Sequence, residues 1–228
     1  MQVLKQTGRL RGLCIRGKPV IQEPRHAGGG AGLATTTRKI RVGISACLLG
    51  HPTRYDGAGK RDARLLAALG GLVEWVPVCP EVECGLPAPR EKMRLEGPCA
   101  RPRLIAVPSR IDRTGLLMRW VRAALQELAR QPPAGFILKA RSPSCGLRDV
   151  PVHRARGRCA RCGTGLFARA LAERFPDMPI QEAEPLRDRA ALERFVARLR
   201  ISPRAGSGAA APHVQCRQHF PSLRPPRE

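Results

Sequence analysis

Three cysteines in this chain each stand at the end of an apolar, β-branched run: Cys47 after IRVGISA, Cys79 after VEWVPV and Cys145 after FILKARSPS. Thiolate is a soft anionic ligand that suits zinc, copper(I) and iron–sulfur clusters. Spacings of 32 and 66 residues exclude a local zinc knuckle. In an open parallel α/β sheet, however, residues that follow the strands collect at one carboxyl edge, where such folds bind their ligands. Three thiolates converging there with no evident fourth partner point to a metal or iron–sulfur site that keeps one position open for chemistry.

Groups able to move protons lie in the same loops. Glu81 sits two residues past Cys79 in CPEVECGLPAPR, whose Pro and Gly content precludes long regular structure. A carboxyl beside an apolar, desolvated cavity has its pKa raised toward the working range, which makes Glu81 the candidate general acid or base. The plainer alternative is an anion capping a backbone amide. Ser142 and Ser144 flank Pro143 just before Cys145; their hydroxyls would bind a substrate oxygen or position water, or simply form a Ser-Pro turn. Tyr55, the only tyrosine, would stack on a pyrimidine-like ring or pack within its own turn. Asp56 and Arg54 of TRYDG either touch a substrate's polar edge or pair with each other, and Arg90 and Lys139 are either anion contacts or loop anchors.

These residues need a scaffold, and the pattern for one begins at Ile40. IRVGIS, VEWVPV, RLIAV, GFILKA and MPIQEAE read as strands. RDARLLAALGG, TGLLMRWVRAALQELARQ, GTGLFARALAERFP and AALERFVARLR read as helices, the second ended by Pro132–Pro133 and the last starting near Asp188. Strand–helix alternation of this length predicts a Rossmann-like, three-layer α/β domain: a mostly parallel sheet with helices on both faces. The expected organisation is a basic extension over residues 1–38, one domain over 39–202 and a Pro-, Gly- and Arg-rich tail over 203–228.

Composition narrows the partners. The chain has 228 residues and a net charge of +23. Residues 1–39 hold eight basic and one acidic residue and residues 203–228 four and one, which leaves a net +13 on the middle. That excess permits nucleic acid as a partner without arguing for it, because only a clustered basic face is diagnostic. No apolar run approaches the roughly 20 residues of a membrane span. Nine cysteines with no secretory signal read as reactive or metal-bound thiols in a reducing cytoplasm, not as a disulfide scaffold. Cys159 and Cys162 form a C-x-x-C that is half a zinc site, a redox dithiol or a pair of free thiols; His153, Cys84 and Cys99 are the candidates to complete a site there.

SACLLG with TRYDG, then PVCPEVECGLPAPR, then LKARSPSCG, in that order, resemble the DUF523 or thiouracil desulfidase family, and the resemblance runs from about Lys39 to Arg200 with GLFAR included. It implies a 4Fe-4S cluster held by Cys47, Cys79 and Cys145, with the fourth iron acting as a Lewis acid on the sulfur of a thiocarbonyl small molecule such as 2-thiouracil. Water then replaces sulfur without net electron transfer. The CARCG cysteines lie outside the family motifs. Two other readings stand beside this one: a different sulfur-transfer or redox reaction on the same scaffold, and a basic nucleic-acid-binding protein with structural zinc.

Overall fold

The computed structural model describes residues 39–154 and 157–202, so the extension and tail expected at the two ends lie outside the described residues. Among the described residues, eight strands form two four-stranded sheets. The first contains β1 (Ile40–Ser45), β2 (Val73–Val78), β5 (Gly135–Leu138) and β8 (Ile180–Glu182) in the order β2-β1-β5-β8. All three of its pairings are parallel, as the strand–helix alternation requires. The second contains β3 (Lys92–Glu96), β4 (Arg103–Val107), β6 (Val150–His153) and β7 (Cys159–Gly163) in the order β4-β3-β6-β7; only β3 and β6 run parallel.

β5 shows why the first sheet sits inside the molecule. All four of its residues are buried, and they point alternately to opposite sides. Ile137 joins a core with Leu65 and Leu69 of helix α1 (Ala63–Leu69) and Phe195 and Leu199 of helix α5 (Arg189–Ile201). Phe136 and Leu138 join a second core with Leu117 and Val121 of helix α3 (Thr114–Arg130) and Phe167 and Leu171 of helix α4 (Leu166–Arg174). Helices therefore cover both faces of the parallel sheet, as the Rossmann-like reading expects. Gly43 in β1 makes room for this: a Cβ there would come within 2.2 Å of the Phe136 ring.

The helix signals hold locally. Asp62 accepts from Leu65 N at 3.2 Å and Asp188 from Ala191 N at 2.8 Å, capping α1 and α5. Helix α2 (Pro80–Glu83) is one turn long, with Cys79 as its N-cap residue.

The second sheet corrects the sequence reading. RLIAV is a strand, but it pairs antiparallel with β3 and lies outside the parallel sheet. KMRLE, VPVH and CARCG are strands that the apolar pattern does not reveal, because each carries charge or proline on one face. That sheet contributes Leu95, Leu104, Val150 and Val152 to the core beside α3 and α4. The cysteine reading also changes: Cys99 and Cys162 form a disulfide across 63 residues, while Cys47, Cys79, Cys84, Cys145 and Cys159 are free.

Candidate active site

The first three strands of the parallel sheet to be made lie side by side, and each hands the chain to a loop bearing one candidate ligand. Cys47 follows β1 in a short 3-10 segment (Ala46–Leu49), Cys79 follows β2 directly, and Cys145 follows β5 after the loop LysAlaArgSerProSer. Because the strands are parallel, all three loops leave from one edge. Cys47, Cys79 and Cys145 line a single cavity of about 420 Å³, together with Glu81, Ser142 and Ser144. That volume falls within the range for small-molecule sites.

Burial pushes all three thiols up, and the neighbouring Cys79 adds to the effect at Cys47 and Cys145. A thiolate set in such a place needs positive charge beside it. Lys139 supplies some of this for Cys47 from the cavity wall, although its own ammonium is pushed down by burial and by Lys60.

Among the described residues, no group of three His, Cys, Asp or Glu side chains is set to surround one metal ion. A cubane cluster asks for something different. Each cysteine binds its own iron, so three ligands are held apart around one body instead of meeting at a point. Three thiols spread around one cavity suit a cluster better than a single ion. Thr53, a residue of this wall, has its Oγ1 buried with no hydrogen-bond partner among the described residues.

Glu81 is buried, and its carboxylate is held from both sides. Arg90 pairs with Oε2 through Nη2 and through Nε at 3.1 Å. Ser144 Oγ donates to Oε1 at 2.7 Å. Ser142 and Ser144 hydroxyls are 3.0 Å apart; Ser144 has spent its one proton on Glu81, so Ser142 is the donor of that pair. Ser142 Oγ in turn accepts from the amides of Ser144 and Cys145 at 3.3 and 3.2 Å. The result is a polarised chain from Ser142 through Ser144 to Glu81. The amide-capping alternative weighed for Glu81 belongs to Glu83, whose Oε1 accepts from Cys79 N at 2.6 Å.

The three residues expected to contact substrate fare differently. Tyr55 lines the cavity at its exposed rim, with Arg54 and Lys92 at 5.7 and 6.0 Å from its ring centre. Arg90 lines it too, but its nitrogens are occupied by Glu81, by Thr53 O at 3.1 Å and by Pro87 O at 3.0 Å. Asp56 is not on the cavity wall: it pairs with Arg54 at 2.6 Å and accepts from Ala58 N at 3.1 Å, and the guanidinium beside it holds its carboxyl at about 2.

Ser45 and Thr53 are among the wall residues that sequence reasoning passed over. Ser45, buried, accepts from Lys139 N at 3.0 Å and joins the ends of β1 and β5. Thr53 brings both its orphan hydroxyl and the carbonyl that anchors Arg90. Ser45 could have been found as the last residue of a buried strand; nothing local marks Thr53.

The loop that carries Cys145 is fixed by helix α4. Phe167 N and Ala168 N donate to Ser144 O at 3.0 and 3.2 Å, and Leu166 N donates to Pro143 O at 3.1 Å. Gly165 lets the helix come this close, since a Cβ there would lie 2.5 Å from the Ser144 carbonyl carbon.

The family described as 2-thiouracil desulfurase matches residues 42–183, which include every cysteine of the cavity. A solved structure of a 4Fe-4S-dependent thiouracil desulfidase, TudS (DUF523), is 31% identical over 68% of this chain and 99% of that chain, with a TM-score of 0.54. Among curated proteins no match is found.

Proposed function

The chain belongs to the 2-thiouracil desulfurase family, and from that premise we propose that it is an enzyme removing sulfur from a thiocarbonyl small molecule such as 2-thiouracil. Cys47, Cys79 and Cys145 would hold a 4Fe-4S cluster. One observation carries the reading: loops from three adjacent parallel strands put those cysteines in one cavity with a carboxylate and two linked hydroxyls.

The net change exchanges sulfur for oxygen. A water oxygen bonds to the thiocarbonyl carbon, the carbon–sulfur bond breaks, and sulfur leaves as hydrosulfide with no gain or loss of electrons. A cluster with one iron free of protein thiolate supplies, when bound, a Lewis-acidic position for the sulfur. The chain's own residues do the rest. Glu81 accepts a proton from water at the cavity, and the Ser142–Ser144 pair connects that carboxylate to the Cys145 side of the site. Arg90 is a positioning residue that keeps Glu81 in place. Tyr55 closes the rim against the flat face of a heterocycle.

Anaerobic reconstitution with iron and sulfide, followed by iron analysis and conversion of 2-thiouracil to uracil, tests the reading. The unaltered chain should load about four irons and release sulfide, as a cluster with three thiolate ligands requires. Each of Cys47→Ala, Cys79→Ala and Cys145→Ala should lose most of its iron and its activity. Full iron retention in two of the three would overturn the ligand assignment, and an iron-loaded chain inert toward thiocarbonyl compounds would overturn the reaction.

A further inference from the structure

The two sulfurs of the Cys99–Cys162 disulfide sit in unlike places. Their Cα atoms are 5.8 Å apart, the usual span of a bridge. Cys162 is exposed, and it is the extra residue in the β6–β7 register, where Arg161 faces Pro151 and Gly163 faces Val150. A residue in such a bulge is turned out of the ladder. Cys99 is half-buried in the turn between β3 and β4. Its sulfur accepts from Arg154 Nη2 at 3.2 Å, and its carbonyl accepts from Arg169 Nη2 at 3.0 Å.

This asymmetry decides which way the bond breaks. Exchange needs an open sulfur for the nucleophile and a stabilised thiolate to leave. Cys162 offers the first. Arg154 provides for the second, because a guanidinium beside a thiol favours its anion. One end of the bridge is in β7, whose partner strand β6 contributes Pro151 and His153 to the cavity wall.

We propose that the Cys99–Cys162 disulfide is a sulfur-accepting site. Hydrosulfide attacks Cys162 Sγ; the new sulfur–sulfur bond forms as the Cys99–Cys162 bond breaks, and the electron pair of the broken bond goes to Cys99. Cys162 becomes a persulfide and Cys99 a thiolate paired with Arg154. The incoming sulfide is oxidised by the disulfide itself, so no other oxidant enters. The choice of hydrosulfide rests on the desulfidase reading, whose product it is; the direction of cleavage does not.

The full chain, purified anaerobically, would be treated with sodium sulfide, alkylated with iodoacetamide and mapped by peptide mass. Before treatment Cys99 and Cys162 should be found joined. Afterwards Cys162 should carry one extra sulfur and Cys99 a plain alkyl group. Arg154→Gln, a change at an exposed residue, should slow the reaction roughly threefold or more and spread the extra sulfur over both cysteines, since it removes the group that favours one leaving thiolate. Cys99→Ser should abolish persulfide at Cys162, because sulfide cannot add to a lone thiol. A persulfide formed mainly on Cys99, an unchanged product pattern in Arg154→Gln, or no bond between the two cysteines at the start would each overturn the proposal. Sulfide is added directly, so a chain inactive toward thiouracil can still pass this test, and an active one can fail it.

Discussion

The Ser144 hydroxyl donates to Glu81 Oε1 at 2.7 Å, joining two loops 63 residues apart in sequence. The contact spans the cavity from the Cys145 loop to the Cys79 loop, so one hydrogen bond both orients the carboxylate and ties together two of the three strands' exits. Glu81→Gln keeps this shape and removes the proton acceptor. It should keep full iron content and lose about 10²-fold or more of turnover, the scale of general acid–base catalysis. Ser144→Ala leaves the carboxylate but removes one bond to it, worth about 1.5–3 kcal/mol where a charge is involved, and should cost roughly tenfold or more. Iron analysis beside steady-state rates separates these outcomes from loss of the cluster.

Arg90 and Glu81 form a buried pair, their side chains 7% and 12% exposed. Removing one partner strands the other charge away from water, at a cost of about 3–5 kcal/mol. Arg90→Gln should therefore unfold at markedly lower denaturant than the parent chain. The double variant Glu81→Gln with Arg90→Gln should recover part of the loss, with a coupling of about 0.5–3 kcal/mol in a double-mutant cycle. Strict additivity would mean that the two side chains act independently.

Gly165 tests the seat of the Cys145 loop. A Cβ at this position would meet the Ser144 carbonyl carbon at 2.5 Å and Cys145 N at 2.8 Å, all backbone atoms with little room to yield. Gly165→Ala should lower stability by about 1–3 kcal/mol through overpacking. Iron retention should fall as well, because the strain is delivered to Cys145 itself. A thermal melt and an iron assay on the same preparation check both.

Acid sensitivity should have a contribution from Glu96, which does not itself line the cavity. Arg110, assisted by Arg94, holds the Glu96 carboxyl at about 2, against about 4.3 in an unfolded chain. A folded-state value below the unfolded one gives stabilisation that is complete above pH ~4.3 and lost as pH falls toward 2. Arg110→Gln should therefore show a shallower loss of stability between pH ~4.5 and 2 than the parent chain. Arg94 remains at 2.7 Å, so the slope should flatten without vanishing. Urea midpoints at several pH values in that window would show it.

The parallel sheet was legible because burial on both sides writes short apolar stretches, unbroken in GFIL and interrupted only by Arg41 before the buried end of IRVGIS. Its companion sheet was not. Lys92, Arg94 and Glu96 alternate with Met93 and Leu95 in a five-residue strand, too short for the alternation to stand out from a charged loop. VPVH contains a proline, which argues against a strand interior unless the sequence also reveals an edge or bulge. CARCG read as half a zinc site, a redox dithiol or free thiols; Cys99, one of the candidates to complete a site there, is instead joined to Cys162 in a disulfide that no rule of spacing selects. At the site, strand ends located the cysteines and the Arg54–Asp56 pair offered by TRYDG is present, while the company kept by Arg90 was decided by tertiary contacts that no local pattern encodes.

The adjacency of β1, β2 and β5 also sets a clock on biosynthesis. Cys47 leaves the ribosome 98 residues before Cys145, and β5 must slot beside β1 before the third loop is in place. Parallel pairings of this kind close over long stretches of chain and form late. Nascent fragments ending before Cys145 thus display Cys47 and Cys79 without the third wall of the cavity. A cluster held by all three cysteines would load only after Cys145 and β5 are in place, and fragments ending before Cys145 should emerge without iron.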